Sequence, residues 1–220
     1  MGVTLYHYPL SGPSRGALLA ARALGLNIDI KIINLFNKEQ LTEEFVKINP
    51  QHTVPTLVDG DFVVWDSHAI GTYLANTYSK DPNFYPTDPK KRAIVDQRLY
   101  FDIGTMYKCI RDICFPILFK GEDEIFDEHK QPLEEALGFL DVFLEGQKFV
   151  AGDHLTVADC CLASSVSSIV AVGWDIKPYQ NVYNWLPRVA ETIPGYAEAN
   201  QEGAEAFGKA VRSKLAPGQI

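Results

Sequence analysis

Two alternating runs bracket one helical run in the first 32 residues, and that order restricts the fold more than any other feature of the chain. Val3, Leu5 and His7 alternate with Thr4, Tyr6 and Tyr8, which predicts a strand. Ala17, Leu18, Ala21 and Leu24 recur at helical spacing between Ser14 and Leu24, and Gly25 stops that helix. Ile28, Ile30 and Ile32 then alternate with Asp29 and Lys31, a second strand. A strand–helix–strand unit this compact closes as a right-handed crossover with parallel strands.

The next segment adds an antiparallel pair. A short helix is expected around Thr42–Lys47. Thr56–Val58 and Phe62–Trp65 read as strands joined at Asp59-Gly60-Asp61, which is turn chemistry. Ser67 is placed as the N-cap of a helix that carries Ile70, Tyr73, Leu74 and Tyr78 on one stripe. The order β-α-β, then α-β-β-α, predicts a thioredoxin-like layout: a mixed four-stranded sheet with helices on both faces. "KDPNFYPTDPKK" holds three prolines and marks a linker. Beyond it the pattern is all helical. One long helix is expected from about Lys90 to Phe119, kinked near Pro116, and another from about Glu128 to Leu144. A buried helix over Val157–Val172 opens on the capping pair Thr156 and Asp159, and two more lie near Val182–Ile193 and Tyr196–Lys209. The expected division is 1–79, an α/β thioredoxin-like domain; 80–88, a linker; and 89–220, an all-α domain.

The loop between the first strand and helix carries the chemistry. Ser11-Gly12-Pro13-Ser14 has the spacing of a Cys-Gly-Pro-Cys redox loop with oxygen in place of both sulfurs, and a hydroxyl cannot exchange disulfides. The chain's own thiols, Cys109, Cys114, Cys160 and Cys161, form no Cys-x-x-Cys pair and read as buried free thiols; the five histidines show no metal spacing. The formal net charge of −8 disfavours nucleic acid and anionic membranes as partners. No signal peptide and no spanning segment is expected. Pro55 stands at a strand start or in a cis turn opposite the Ser11 loop, where Val54 offers its backbone to an extended ligand. Asp66-Ser67 at a helix start suits an anion, or serves as a simple cap.

"LSGPSR", "NPQHTVPTLVDGDFVVWDSHAI" and "GDHLTVAD" stand in this order along the chain. Together they make the whole chain resemble a cytosolic glutathione transferase of the insect delta/epsilon type. Asp66-Ser67-His68 is closer to the epsilon form, since delta members usually carry Glu-Ser-Arg. The resemblance implies that glutathione is the co-substrate and supplies the sulfur, with no metal. It implies Ser11 as the catalytic residue, with Tyr6 and Tyr8 as rivals because other classes use a tyrosine; Ser14 is read as a helix residue. It also implies glutathione contacts from Leu35, Gln40, His52, Thr53, Val54, Pro55, Asp66, Ser67 and His68, with Lys38 an alternative to Gln40. A homodimer in the cytoplasm is expected, its interface near Arg92, Asp96 and Tyr100.

Magnitudes favour a serine mechanism. Lowering a thiol pKa by about 2 units takes roughly 2.7 kcal/mol of preferential thiolate binding. A charge-assisted hydrogen bond from the Ser11 hydroxyl supplies roughly 1.5–3 kcal/mol, and a helix N-terminus about 0.3–1 kcal/mol. The thiolate would attack a hydrophobic electrophile held against the long helix by Ile103, Tyr107, Arg111, Cys114, Phe115 and Phe119, with Phe207 closing the pocket. Arg111 either polarises a leaving group or pairs with Asp102 or Asp112. Detoxification of xenobiotics, insecticides among them, follows as the expected role, with peroxidase or dehydrochlorinase side activity open. A weakly catalytic dimer that sequesters apolar ligands is the alternative.

Overall fold

The computed structural model describes residues 2–219. Its first half is a four-stranded sheet in the order β2-β1-β3-β4. β1 (Val3–His7) pairs in parallel with β2 (Asp29–Ile32) and antiparallel with β3 (Thr56–Asp59), which pairs antiparallel with β4 (Phe62–Trp65). α1 (Gly12–Ala23) makes the crossover, α2 (Glu43–Ile48) precedes β3, and α3 (Ser67–Tyr78) follows β4. This is the thioredoxin-like arrangement that the alternation predicted.

The second half is helical: α4 (Pro89–Phe101), α5 (Tyr107–Phe119), α6 (Asp127–Phe143), α7 (Val157–Val172), α8 (Gln180–Thr192) and α9 (Glu202–Arg212). The single long helix expected over Lys90–Phe119 is interrupted, and not at Pro116, which lies within α5. A π-helical turn, Asp102–Met106, joins α4 to α5, with the Tyr107 N–H bonded to the Asp102 carbonyl five residues back. Such a turn carries one residue more than an α-turn and so rotates the faces before it against those after it.

α7 is the central pillar. Fourteen of its sixteen residues are buried, and α1, α3, α4, α8 and α9 all pack on it. Small residues allow the approach: a Cβ on Gly16 would sit 3.1 Å from Ser164 Oγ, and one on Gly208 only 2.1 Å from the Ala171 carbonyl. The start of α7 is held by Asp159, whose carboxylate is fully buried. It accepts from the Thr156 N–H (2.8 Å) and hydroxyl (2.9 Å), from the Val150 N–H (2.9 Å) and from Trp185 Nε1 (2.9 Å).

The two members of this cap therefore differ in weight. Thr156→Ala is expected to cost about 1 kcal/mol of unfolding free energy. Asp159→Ala strands three buried N–H donors and is expected to cost about 3 kcal/mol or more. Urea unfolding measures both, and an Asp159→Ala protein as stable as wild type would contradict the role given to the carboxylate.

Candidate functional site

β1 ends against a cavity of about 530 Å³ between the sheet unit and α5, within the range of small-molecule sites. Its floor is the β1–α1 loop. Ser11 is the N-cap of α1: its extended backbone (φ −80°, ψ 115°) lets its Oγ accept from the Ser14 N–H at 3.3 Å. The Ser11 hydroxyl hydrogen has no acceptor among the described residues, so it is free to donate into the cavity. Ser14 is fully buried; its Oγ accepts from the Tyr8 N–H at 3.1 Å and shares a 2.8 Å hydrogen bond with His7 Nδ1. Ser14 is thus committed to the loop's shape, as expected. Of the two tyrosines, Tyr8 lines the cavity, while Tyr6 is turned to Phe45 and Lys31.

One wall is the loop that leads to β3. Asn49 is fully buried and organises it: its Nδ2 donates to the Thr53 carbonyl (3.1 Å) and to Thr56 Oγ1 (2.9 Å), and its Oδ1 accepts from the Gln51 N–H (2.9 Å). That arrangement presents His52, Thr53 and Val54 to the cavity, and the Val54–Pro55 peptide is cis. Pro55 itself is buried behind them. Leu35, Lys38 and Gln40 complete this side, and Gln40 Oε1 is buried with no hydrogen-bond partner among the described residues.

Lys38 (φ 59°), His52 (φ 47°) and Asp66 (φ 76°) are the non-glycine residues with positive φ among those described. Two line the cavity and the third begins α3 beside it, which is where strained backbone gathers when a site dictates its conformation.

Asp66, Ser67 and His68 stand outside the cavity lining. The N-cap of α3 is Asp66, not Ser67: Asp66 Oδ1 accepts from the N–H groups of His68 (2.9 Å) and Ala69 (3.1 Å), leaving Ser67 buried in the first turn. The hydrogen bond with His68 holds the Asp66 carboxyl below the usual range. His68 does not point into the cavity; its Nε2 lies 2.9 Å from Asp102 Oδ2 across the two halves of the molecule. Burial opposes the charge on His68, but Asp102 and Asp66 together push its pKa up to about 9.

The opposite wall is α5. Tyr107, Ile110, Arg111, Cys114, Phe115, Leu118 and Phe119 line it, a stripe at helical spacing, and Phe207 closes the end. Ile103 is a correction: it is an exposed residue of the π-helical turn and does not reach the cavity. Counting back four from Tyr107 assumed α-helical spacing that the π-turn breaks. Arg111 forms no ion pair with Asp102 or Asp112 among the described residues; its guanidinium lies 5.2 Å from the Phe115 ring centre. Burial pushes the Cys114 thiol up to about 12, so Cys114 is an apolar wall rather than a nucleophile. Phe36 was missed from the sequence. It stacks on Phe119 at 5.5 Å across the cavity mouth, and its signal was an aromatic residue inside the polar loop after β2.

Electrostatics set the kind of ligand. In a chain of net charge −8, the lining contains Lys38 and Arg111 and, among the described residues, no carboxylate. A donor hydroxyl at a helix N-terminus, a strand-like backbone and a cationic rim suit an anionic thiol peptide, and the aromatic wall opposite suits an apolar partner. A thioredoxin-like sheet and a helical unit enclosing such a cleft define the glutathione-transferase class of enzyme.

Comparison with known proteins agrees. The model for the glutathione S-transferase N-terminal domain matches residues 5–82, and that for the C-terminal domain matches 99–192. The chain is 44% identical to glutathione S-transferase D7 of Drosophila melanogaster over 206 residues, 91% of this chain and 89% of that protein. It superposes on an unclassified glutathione S-transferase from Bombyx mori with a TM-score of 0.93 at 54% identity, covering 98% of this chain and 100% of that one. An epsilon-class enzyme from the housefly, Musca domestica, gives a TM-score of 0.93 at 42% identity, with 97% and 99% covered. The chain belongs to the glutathione S-transferase family.

His7 gives the site an acid limit. It is 4% exposed, and burial, with the charge of Arg15, lowers its pKa to about 4. An unfolded histidine titrates near 6.5, so the unfolded state binds more protons between these values. Stability is therefore full above about pH 6.5 and falls as pH drops toward 4. The wild type is expected to lose about 2 kcal/mol more than a His7→Asn variant between pH 7 and 5. Parallel acid limbs in urea unfolding would contradict this.

Proposed function

We propose that this enzyme joins the glutathione thiolate to hydrophobic electrophiles, with Ser11 as the residue that stabilises the thiolate. The observation that carries this reading is the Ser11 hydroxyl, an N-cap whose hydrogen has no acceptor among the described residues, in a cavity that no described carboxylate lines. Donation from Ser11 to sulfur and the positive end of α1 favour the anion, so the thiol proton leaves to solvent and no general base is needed. The thiolate then attacks the electrophilic carbon; a C–S bond forms and the leaving group departs with its electron pair. Arg111, with no ion pair among the described residues, stabilises the charge that develops there.

Residues 1–79 hold glutathione in this reading, 89–220 hold the electrophile, and 80–88 link them. His52, Lys38 and Gln40 receive the glycyl carboxylate, Val54 with Thr53 and Pro55 pairs with the peptide backbone, and Leu35 packs on it. Asp66 and Ser67 face the γ-glutamyl end, with His68 supporting them from behind. Tyr107, Cys114, Phe115, Phe119 and Phe207 hold the apolar partner, and Phe36 extends that wall. Detoxification in the cytoplasm by a homodimer fits this chemistry. No described helix is long and apolar enough to cross a membrane.

Conjugation of glutathione to an activated chloronitrobenzene tests the assignment. Ser11→Ala is expected to lower kcat about ten-fold or more, a barrier change of about 1.4 kcal/mol, with glutathione binding kept. Tyr8→Phe should stay within about two-fold of wild type. Loss in Tyr8→Phe with Ser11→Ala intact would move the role to the tyrosine.

A further inference from the structure

Three elements that are far apart in sequence bring together a nitrogen, an oxygen and a sulfur donor at the junction of the two halves. They are His68 on the first turn of α3, Asp102 at the start of the π-helical turn, and Cys161 near the start of α7, with donor atoms all within 4.8 Å of one another. We infer that His68, Asp102 and Cys161 form a binding site for a borderline divalent cation of the zinc type, separate from the chemistry at Ser11.

Four observations carry this. The donor set of imidazole, thiolate and carboxylate is the one that selects zinc over magnesium or calcium. Asp102 is 3% exposed, yet its Oδ1 has no hydrogen-bond partner among the described residues, so half of a buried carboxylate is unused. Cys161 is 2% exposed and its Sγ likewise makes no described hydrogen bond, unlike Cys160, whose Sγ donates to the Thr156 carbonyl at 3.8 Å. His68 is oriented as a ligand would be. Its Nε2 faces Asp102, while its Nδ1 lies 3.3 Å from Ser67 Oγ and 3.6 Å from Asp66 Oδ1, the carboxylate–histidine pairing that fixes a metal-binding ring from behind.

The geometry needs little movement. Zinc bonds of about 2.0–2.3 Å place tetrahedral ligands roughly 3.3–3.8 Å apart, so donors as far as 4.8 Å apart close by about 1–1.5 Å, while His68 Nε2 and Asp102 Oδ2, 2.9 Å apart, open by about 0.4 Å. The cation would replace the hydrogen bond between His68 and Asp102. The Nε2 proton of His68, which is charged at neutral pH, and the Cys161 thiol proton are both released to solvent, and one carboxylate and one thiolate then neutralise the two charges of a buried ion. Bound there, the ion would link α3, the π-turn and α7, and so join the two halves of the molecule.

Cobalt(II) is the probe, added to the metal-free full-length enzyme without glutathione, which would itself chelate it. One equivalent is expected to produce tetrahedral d–d bands and a sulfur-to-cobalt charge-transfer band. The charge-transfer band should be lost in Cys161→Ala and kept in Cys160→Ala. Zinc alone should raise the thermal midpoint of the wild type and do so less in His68→Gln. A wild-type spectrum without the charge-transfer band overturns the site whatever the variants do, and so does a band that survives in Cys161→Ala.

Discussion

The Arg15 guanidinium is the contact on which the rest of the arrangement depends. It is fully buried, one turn into α1 from Ser11, and no carboxylate among the described residues pairs with it. Four hydrogen bonds are made instead, to the Pro9 carbonyl (2.9 Å), Asn200 Oδ1 (2.9 Å), the Ser164 carbonyl (3.4 Å) and the Ser168 hydroxyl. Desolvation lowers its pKa only to about 10, so it is charged at neutral pH. A hydrogen bond from a charged group contributes about 1.5–3 kcal/mol, and loss of the fork would strand several buried acceptors. One side chain thus ties the loop before Ser11, the pillar α7 and the segment leading into α9. A lysine could not span these points.

That clamp explains how a reactive geometry is assembled from two units. Ser11 belongs to the sheet unit, but Gly12 behind it faces Ser164 and Ser168 of α7; Ser164 donates to the Gly12 carbonyl at 2.8 Å. Gly203 lets α9 close the other side, since a Cβ there would sit 2.3 Å from the Pro9 carbonyl. The N-terminus of α1 is therefore fixed by the helical unit that also carries the apolar wall. In the proposed reading this keeps thiol and electrophile in one relative position, the condition for converting two binding events into one reaction.

The sheet unit was legible in the sequence because its signals are local. Period-2 runs and the Gly60 turn each lie within a few residues, and each formed close to where the pattern put it; the Thr156–Asp159 cap of the helical unit is local in the same way. What was hidden depends on contacts across the chain. Arg15 reads as an ordinary residue of an amphipathic helix, and its partners in the helical unit lie 149 to 185 residues away. His68 meets Asp102 34 residues on, so no spacing rule finds the pair. Ile103 was misplaced because nothing in "FDIGTM" announces a π-turn, and Phe36 because an aromatic in a polar loop has no period to reveal its partner.

The central claim is that Ser11 and the end of α1 hold a thiolate at neutral pH. Titration of the absorbance of enzyme-bound glutathione thiolate against pH tests it most directly, in wild type and in Ser11→Ala. The account predicts a wild-type midpoint about 2 units below that of a free thiol, near 8.5. It predicts a rise of more than about one unit when the hydroxyl is removed, the loss of a hydrogen bond of about 1.5 kcal/mol or more. A midpoint that does not move in Ser11→Ala, with glutathione still bound, would contradict it.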